Sequence, residues 1–115
     1  MTLDKFYQAA YVLKEVARKT DLIAATDLCG CANLWLKTEN RQVTGSFKLR
    51  GSYYTLSQLT DEAKAKGVIA CSAGNHAQGV ALAAAQNNIP ALICLPDNAP
   101  ISKIEATKSY GAQVE

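Results

Sequence analysis

Val68-Ile69-Ala70-Cys71-Ser72-Ala73-Gly74-Asn75-His76-Ala77-Gln78-Gly79 passes from a short apolar run, through a small polar turn, into an alanine-rich stretch. Gly67 and Ser72 bound the apolar run, which reads as a strand. The alanines carry helical propensity to about Gln86, where Asn87-Asn88 and Pro90 end it. Ala91-Leu92-Ile93-Cys94-Leu95 repeats the strand pattern, and residues 96–100 form a turn. Ser102 and Glu105 have capping-box spacing and predict a helix to Tyr110, with Gly111 as its C-terminal cap. Residues 112–115 open another strand. Strand–helix–strand–helix–strand spacing predicts a parallel, right-handed α/β sheet.

Upstream, Phe6, Ala9, Ala10, Leu13, Val16 and Ala17 recur at helical spacing opposite Lys5, Gln8, Glu15 and Arg18. They predict a helix over residues 2–18 whose apolar stripe packs on the rest of the domain. Residues 19–32 read as a connector containing a short helix, with Cys29-Gly30-Cys31 as a turn. Residues 33–37 are a short strand and 38–45 a polar loop. A helix then runs from Phe47 to about Leu59, burying Phe47, Gly51 and Tyr54. Thr60-Asp61-Glu62 starts another, closed by Gly67. The 115 residues make one domain: a helix and connector over 1–32, then a lysine-bearing helix and parallel α/β part over 33–115.

Composition narrows the function classes. With 49% hydrophobic and 19% charged residues the chain is globular rather than disordered. A net charge of +2 is too small to argue for nucleic acid or an anionic membrane surface. No apolar run approaches the ~20 residues of a membrane span, and the N-terminus lacks a signal-peptide core, which makes the cytoplasm the default location. The four cysteines form no C-x-x-C, and His76 is the single histidine, so no metal site is expected. Cys71 and Cys94, in strand-like runs, are expected to be buried, reduced thiols.

Two stretches carry chemistry. In Thr44-Gly45-Ser46-Phe47-Lys48-Leu49-Arg50-Gly51, Ser46 reads as a helix N-cap, which puts Lys48 in the first turn. A cation there opposes the helix dipole by roughly 0.3–1 kcal/mol. Arg50 adds a second positive charge, and both favour a neutral, nucleophilic amine. The competing reading is a solvated surface lysine. In residues 72–75, a loop leaves a strand and opens a helix, where free backbone amides receive an anion such as a carboxylate. Gly74 permits close approach, and Asn75 offers a donor and an acceptor. The competing reading is that Ser72 and Asn75 only cap the helix. The helix start disfavours charged His76, which weakens it as a base, and Gln78 and Gly79 read as packing positions. Val80-Ala81 stands where a P-loop needs Lys-Ser/Thr, and neither G-x-G-x-x-G nor G-x-S-x-G occurs.

Taken with Lys37-Thr38-Glu39-Asn40, Leu95-Pro96, Ala99-Pro100, Lys103, Ala106-Thr107 and Tyr110-Gly111, these two stretches resemble the threonine dehydratases, also called threonine deaminases or threonine ammonia-lyases. These are pyridoxal-phosphate enzymes of the tryptophan synthase β-like fold. The resemblance is strong over residues 33–115 and loose before. It implies a partial three-layer αβα architecture with a mainly parallel sheet, the fold type II of these enzymes. It implies that Lys48 forms the Schiff base with pyridoxal 5'-phosphate, that Phe47 lies against the pyridine ring, and that Asn75 hydrogen-bonds the phenolic oxygen. The loop Ser72, Ala73, Gly74, Asn75 and His76 would receive the substrate carboxylate. The implied reaction converts threonine to 2-oxobutanoate and ammonia, or serine to pyruvate, in a homo-oligomer acting in isoleucine biosynthesis or threonine catabolism. Related serine racemases tend to carry a serine in place of Ala73, so the alanine favours a dehydratase.

Some features depart from the family. Thr20-Asp21-Leu22 stands where Thr-Pro-Leu is usual, and Ser52 where alanine is commoner. The seven glycines never cluster into the family's phosphate-gripping loop. The expectation is therefore a truncated, N-terminal part of such an enzyme. The alternatives are a serine dehydratase or another β-eliminating lyase, and a catalytically silent fragment acting as an oligomerising or binding module.

Overall fold

The computed structural model describes residues 2–28, 30 and 33–115. The turn expected at Cys29-Gly30-Cys31 involves cysteines outside the described residues.

The N-terminal helix α1 (Leu3–Val12) is shorter than its sequence pattern. Gln42 explains why residue 18 leaves the helical path. Its side chain accepts from the Arg18 amide at 2.8 Å and donates to the Arg18 carbonyl at 3.0 Å, replacing the bonds a helix would supply. The apolar stripe packs less than expected. Leu13 is buried, but Phe6 remains 58% exposed, because α1 meets the next helix mainly through polar contacts of Gln8 with Gln58 and Tyr54. The connector holds a strand that the sequence pattern did not predict, β1 (Leu22–Ala24), antiparallel to β2 (Trp35–Lys37) in the register Ile23↔Leu36. All three β1 residues are exposed, so no inside–outside alternation marks it.

Helix α2 (Lys48–Ser57) starts one residue later than predicted, behind Phe47. It buries Leu49, Ser52 and Leu56 rather than Phe47, Gly51 and Tyr54. That face is chosen by the helix packed on it, described below. Helix α3 (Asp61–Lys66) has the predicted start and stop. Thr60 Oγ1 accepts from the Ala63 amide at 3.3 Å, and Gly67 closes the helix at φ +82°.

The strand–helix repeat is observed. Strand β3 (Val68–Cys71) pairs in parallel with β4 (Ala91–Cys94), and β4 with β5 (Gln113–Val114), giving the order β3-β4-β5. Helices α4 (Asn75–Gln86) and α5 (Ile101–Ser109) pack against this sheet and each other, and α2 packs on α4. Small residues make that layering close. Ala77, Ala81, Ala83 and Ala84 of α4 are buried with Val80, Ile93, Leu56 and Ala112 in one core. The α5 capping box does not form. The helix begins at Ile101, behind Pro100, with no side-chain cap.

Neither thiol is buried as expected. The strand alternates, so Val68 and Ala70 turn toward α4 while Ile69 and Cys71 face the other way. Cys71 is exposed and Cys94, its register partner, half-buried.

Candidate active site

Lys48 is the first residue of α2, where the free amides of the helix start make the backbone locally positive. Phe47, in the cap position, provides no side-chain cap. Ser46 Oγ accepts from the Lys48 amide at 3.3 Å, so the hydroxyl read as a cap does contact the helix start. The Lys48 side chain is exposed, and its Nζ lies 5.3 Å from the centroid of the Phe47 ring, itself 59% exposed. Among the described residues no carboxylate pairs with Lys48.

Arg50 acts differently from the sequence expectation. Its Nε donates to Glu39 Oε2 at 2.9 Å and its Nη2 to Glu39 Oε1 at 2.8 Å, a two-pronged pair. The Thr20 hydroxyl donates to the same carboxylate. The positive charge expected to act on the lysine is thus matched by a carboxylate. The Arg50 guanidinium holds the Glu39 pKa down to about 2, against the opposing effect of burial, with help from Thr20. The same hydrogen bonds raise the Arg50 pKa.

The second stretch sits at the carboxyl end of β3. The Ser72 amide donates to the Cys94 carbonyl at 3.1 Å, which ties the loop to the neighbouring strand. Ser72 Oγ accepts from the Gly74 amide at 3.3 Å, folding the loop on itself. Gly74 is the N-cap of α4 and no side chain caps that helix, so Ser72 and Asn75 are not its caps. Asn75 and His76 are exposed, whereas Ala73 and Gly74 are half-buried. The first amides of α4 have no intrahelical acceptors. His76 also borders a cavity of about 150 Å³ with Gly51, Ser52 and Thr55 of α2.

Gly79, one helical turn beyond Asn75, joins the two stretches. A Cβ built there would lie 3.1 Å from the Lys48 carbonyl carbon, 3.2 Å from the Leu49 nitrogen and 3.1 Å from Ser52 Oγ. Only a glycine lets α4 approach the lysine turn this closely. This contact also explains why Leu49 and Ser52 form the buried face of α2. The Glu39–Arg50 pair carries no sequence signal, since residues eleven apart across a loop have no periodic relation.

An unpaired primary amine beside an exposed aromatic ring, packed to a helix whose first amides are uncapped, fits the aldehyde and ring of a pyridoxal group. The family described as pyridoxal-phosphate dependent enzymes matches residues 13–115, and the chain belongs to it. The L-threonine ammonia-lyase of Thermotoga maritima is 47% identical over 99% of this chain and 29% of its own length. The catabolic L-threonine dehydratase TdcB of Staphylococcus aureus N315 is 48% identical over 99% of this chain and 34% of its own. The structure of maize serine racemase superposes with a TM-score of 0.90 at 37% identity, covering 98% of this chain and 35% of the racemase. The chain thus spans about a third of the length of the curated relatives it matches.

Proposed function

We propose that this chain is the lysine-bearing part of a pyridoxal-phosphate-dependent L-threonine ammonia-lyase. The observation that carries the reading is the seating of Gly79 on the Lys48–Leu49 backbone, which holds the backbone bearing the lysine against α4. The 47–48% identity to threonine lyases supports the substrate. Bound here, the cofactor supplies an electron sink for charge developing at the substrate α-carbon. Lys48 Nζ would hold the cofactor through its aldehyde, and its free amine would serve as the base for the substrate α-proton. Phe47 offers its exposed ring to the pyridine, and the Asn75 amide donates to the phenolic oxygen. Ser72, Ala73, Gly74, Asn75 and His76 orient the substrate carboxylate at the uncapped helix start. The β-hydroxyl would leave as water, and the released enamine would tautomerise to an imine that water hydrolyses, giving 2-oxobutanoate and ammonia from threonine or pyruvate and ammonia from serine.

The superposition on a serine racemase makes racemisation the second reading. Ala73 weighs against it, because a methyl group neither accepts nor donates a proton. The catabolic name of the Staphylococcus aureus relative supports threonine breakdown. A cytoplasmic homo-oligomer, and isoleucine biosynthesis as the alternative role, are proposed from the family resemblance alone. No helix among the described residues is long and apolar enough to cross a membrane.

The test adds pyridoxal phosphate to this chain, alone and reconstituted with the complementary part of the Thermotoga maritima relative. Borohydride should then leave the cofactor's mass on the Lys48 peptide. The reconstituted protein should release 2-oxobutanoate from threonine, and Lys48→Ala should abolish both. Pyruvate from serine at a higher kcat/KM would transfer the reading to serine dehydratase. Absence of label at Lys48 in either preparation would leave the silent-module alternative.

A further inference from the structure

The lysine turn begins without a side-chain cap at Phe47, and Gly79 supports it from one side only. On another side stands Glu39, in the short 3-10 turn Glu39–Arg41 that follows β2. Its carboxylate accepts both prongs of Arg50, which projects from the first turn of α2. Arg50 Nη2 also donates to the Arg18 carbonyl at 2.9 Å, and Thr20 donates to Glu39, so the N-terminal segment is tied into the same knot. The pair is well covered, with the Glu39 side chain 15% and the Arg50 side chain 33% exposed.

Between these two residues the chain makes one excursion, which carries Thr44, Gly45, Ser46, Phe47 and Lys48. It turns at Gly45, where φ is +70° and the amide donates to the Gln42 carbonyl at 2.8 Å. An excursion this short, with both ends fixed, has few conformations left. A planar fork on a carboxylate fixes orientation as well as distance, which a single hydrogen bond does not.

We propose that Glu39 and Arg50 are positioning residues for Lys48: they clamp the 39–50 excursion and set the direction of the lysine turn. The inference rests on the reading of Lys48 given above. Neither residue touches the cofactor or substrate in this scheme. Their influence passes through the backbone of α2.

The test uses the chain reconstituted as above and compares Glu39→Gln, Arg50→Lys and Thr60→Ala. Thr60 caps α3 away from the lysine turn, so its variant loses stability without disturbing the clamp. Pyridoxal phosphate fixed to Lys48 by borohydride is followed as a rate, at a temperature where all variants are folded. Glu39→Gln should lower the rate about tenfold, in line with loss of a charge-assisted bidentate bond. Arg50→Lys, which keeps the charge but loses the fork, should fall in between. Thr60→Ala should label as the parent does. Amide hydrogen exchange over residues 43–50, read without cofactor, should quicken about tenfold in Glu39→Gln and stay unchanged over Asn75–Gln86. Parent-like labelling and exchange in Glu39→Gln would overturn the proposal, as would an equal loss in Thr60→Ala. If the parent takes no label but exchange over 43–50 still quickens in Glu39→Gln, the clamp stands and the reading of Lys48 fails.

Discussion

A Cβ on Gly79 would lie 3.1 Å from the carbonyl carbon of Lys48, against backbone that has no rotamer in which to retreat. Gly79→Ala should therefore push α2 off α4 at the point where Lys48 is anchored. Overpacking costs roughly 1–3 kcal/mol, and the better helix propensity of alanine returns up to about 1 kcal/mol. A net loss of about 1–2 kcal/mol in urea unfolding is expected, with slower labelling of Lys48. Gly51 is the control. It lies in α2, is exposed, and a Cβ there meets nothing within 4 Å. Gly51→Ala should stabilise by up to about 1 kcal/mol. The same sign in both variants would show that propensity, not the close approach, governs Gly79.

Ser52 provides a second handle on the same contact. Its Oγ is buried without a hydrogen-bond partner among the described residues, and it is one of the three atoms a Cβ on Gly79 would meet. An unsatisfied buried hydroxyl costs about 1–3 kcal/mol, so Ser52→Ala should raise the unfolding free energy by about 1 kcal/mol. Its benefit should grow in the Gly79→Ala background, where removing the oxygen also relieves crowding. A double-mutant cycle measures the difference. Strict additivity would mean that the two positions do not share the contact.

How much of this was legible in the sequence follows from which signals are local. Thr60, Gly67, the alanine run after Asn75 and the apolar strands act through neighbours a few residues away, and those elements formed where they were read. The placement of Lys48 in the first turn of α2, and the turn from β3 into α4 over residues 72–75, were legible because these signals are local too. Three other features depend on partners distant in sequence. Gln42 draws Arg18 out of the first helix, Gly79 selects the buried face of α2, and Glu39 matches the charge of Arg50. Strand β1, exposed at all three residues, had no pattern to read.

The outward face of β3 gives a prediction against the apolar look of its sequence. Cys71 alternates with Ala70 and is exposed, whereas its register partner Cys94 is half-buried. Exposure governs access of a reagent to the thiolate. Iodoacetamide added to the folded chain should label Cys71 several-fold faster than Cys94, as read by peptide mass mapping. Equal protection of both would place the two thiols in a covered face.

Acid should act on the clamp through Glu39. Its pKa is lowered from 4.5 to about 2 in the folded chain, chiefly by its hydrogen bonds from Arg50. A carboxylate with a depressed folded-state pKa binds fewer protons folded than unfolded between those values. Its stabilisation is present above pH 4.5 and is lost as the pH falls toward 2. With the side chain only 15% exposed, the contribution is of order 2–3 kcal/mol at neutral pH. The protonated carboxyl also loses its charge and turns one oxygen into an O–H donor that faces Arg50, so the excursion bearing Lys48 should loosen over the same range. Urea unfolding of the parent chain should show stability falling from pH 4.5 to about 2, and Glu39→Gln should be less stable at neutral pH with a flatter profile. The two curves should approach each other at the acid end. An unchanged slope in Glu39→Gln would assign the acid sensitivity to other carboxylates and remove Glu39 from the account.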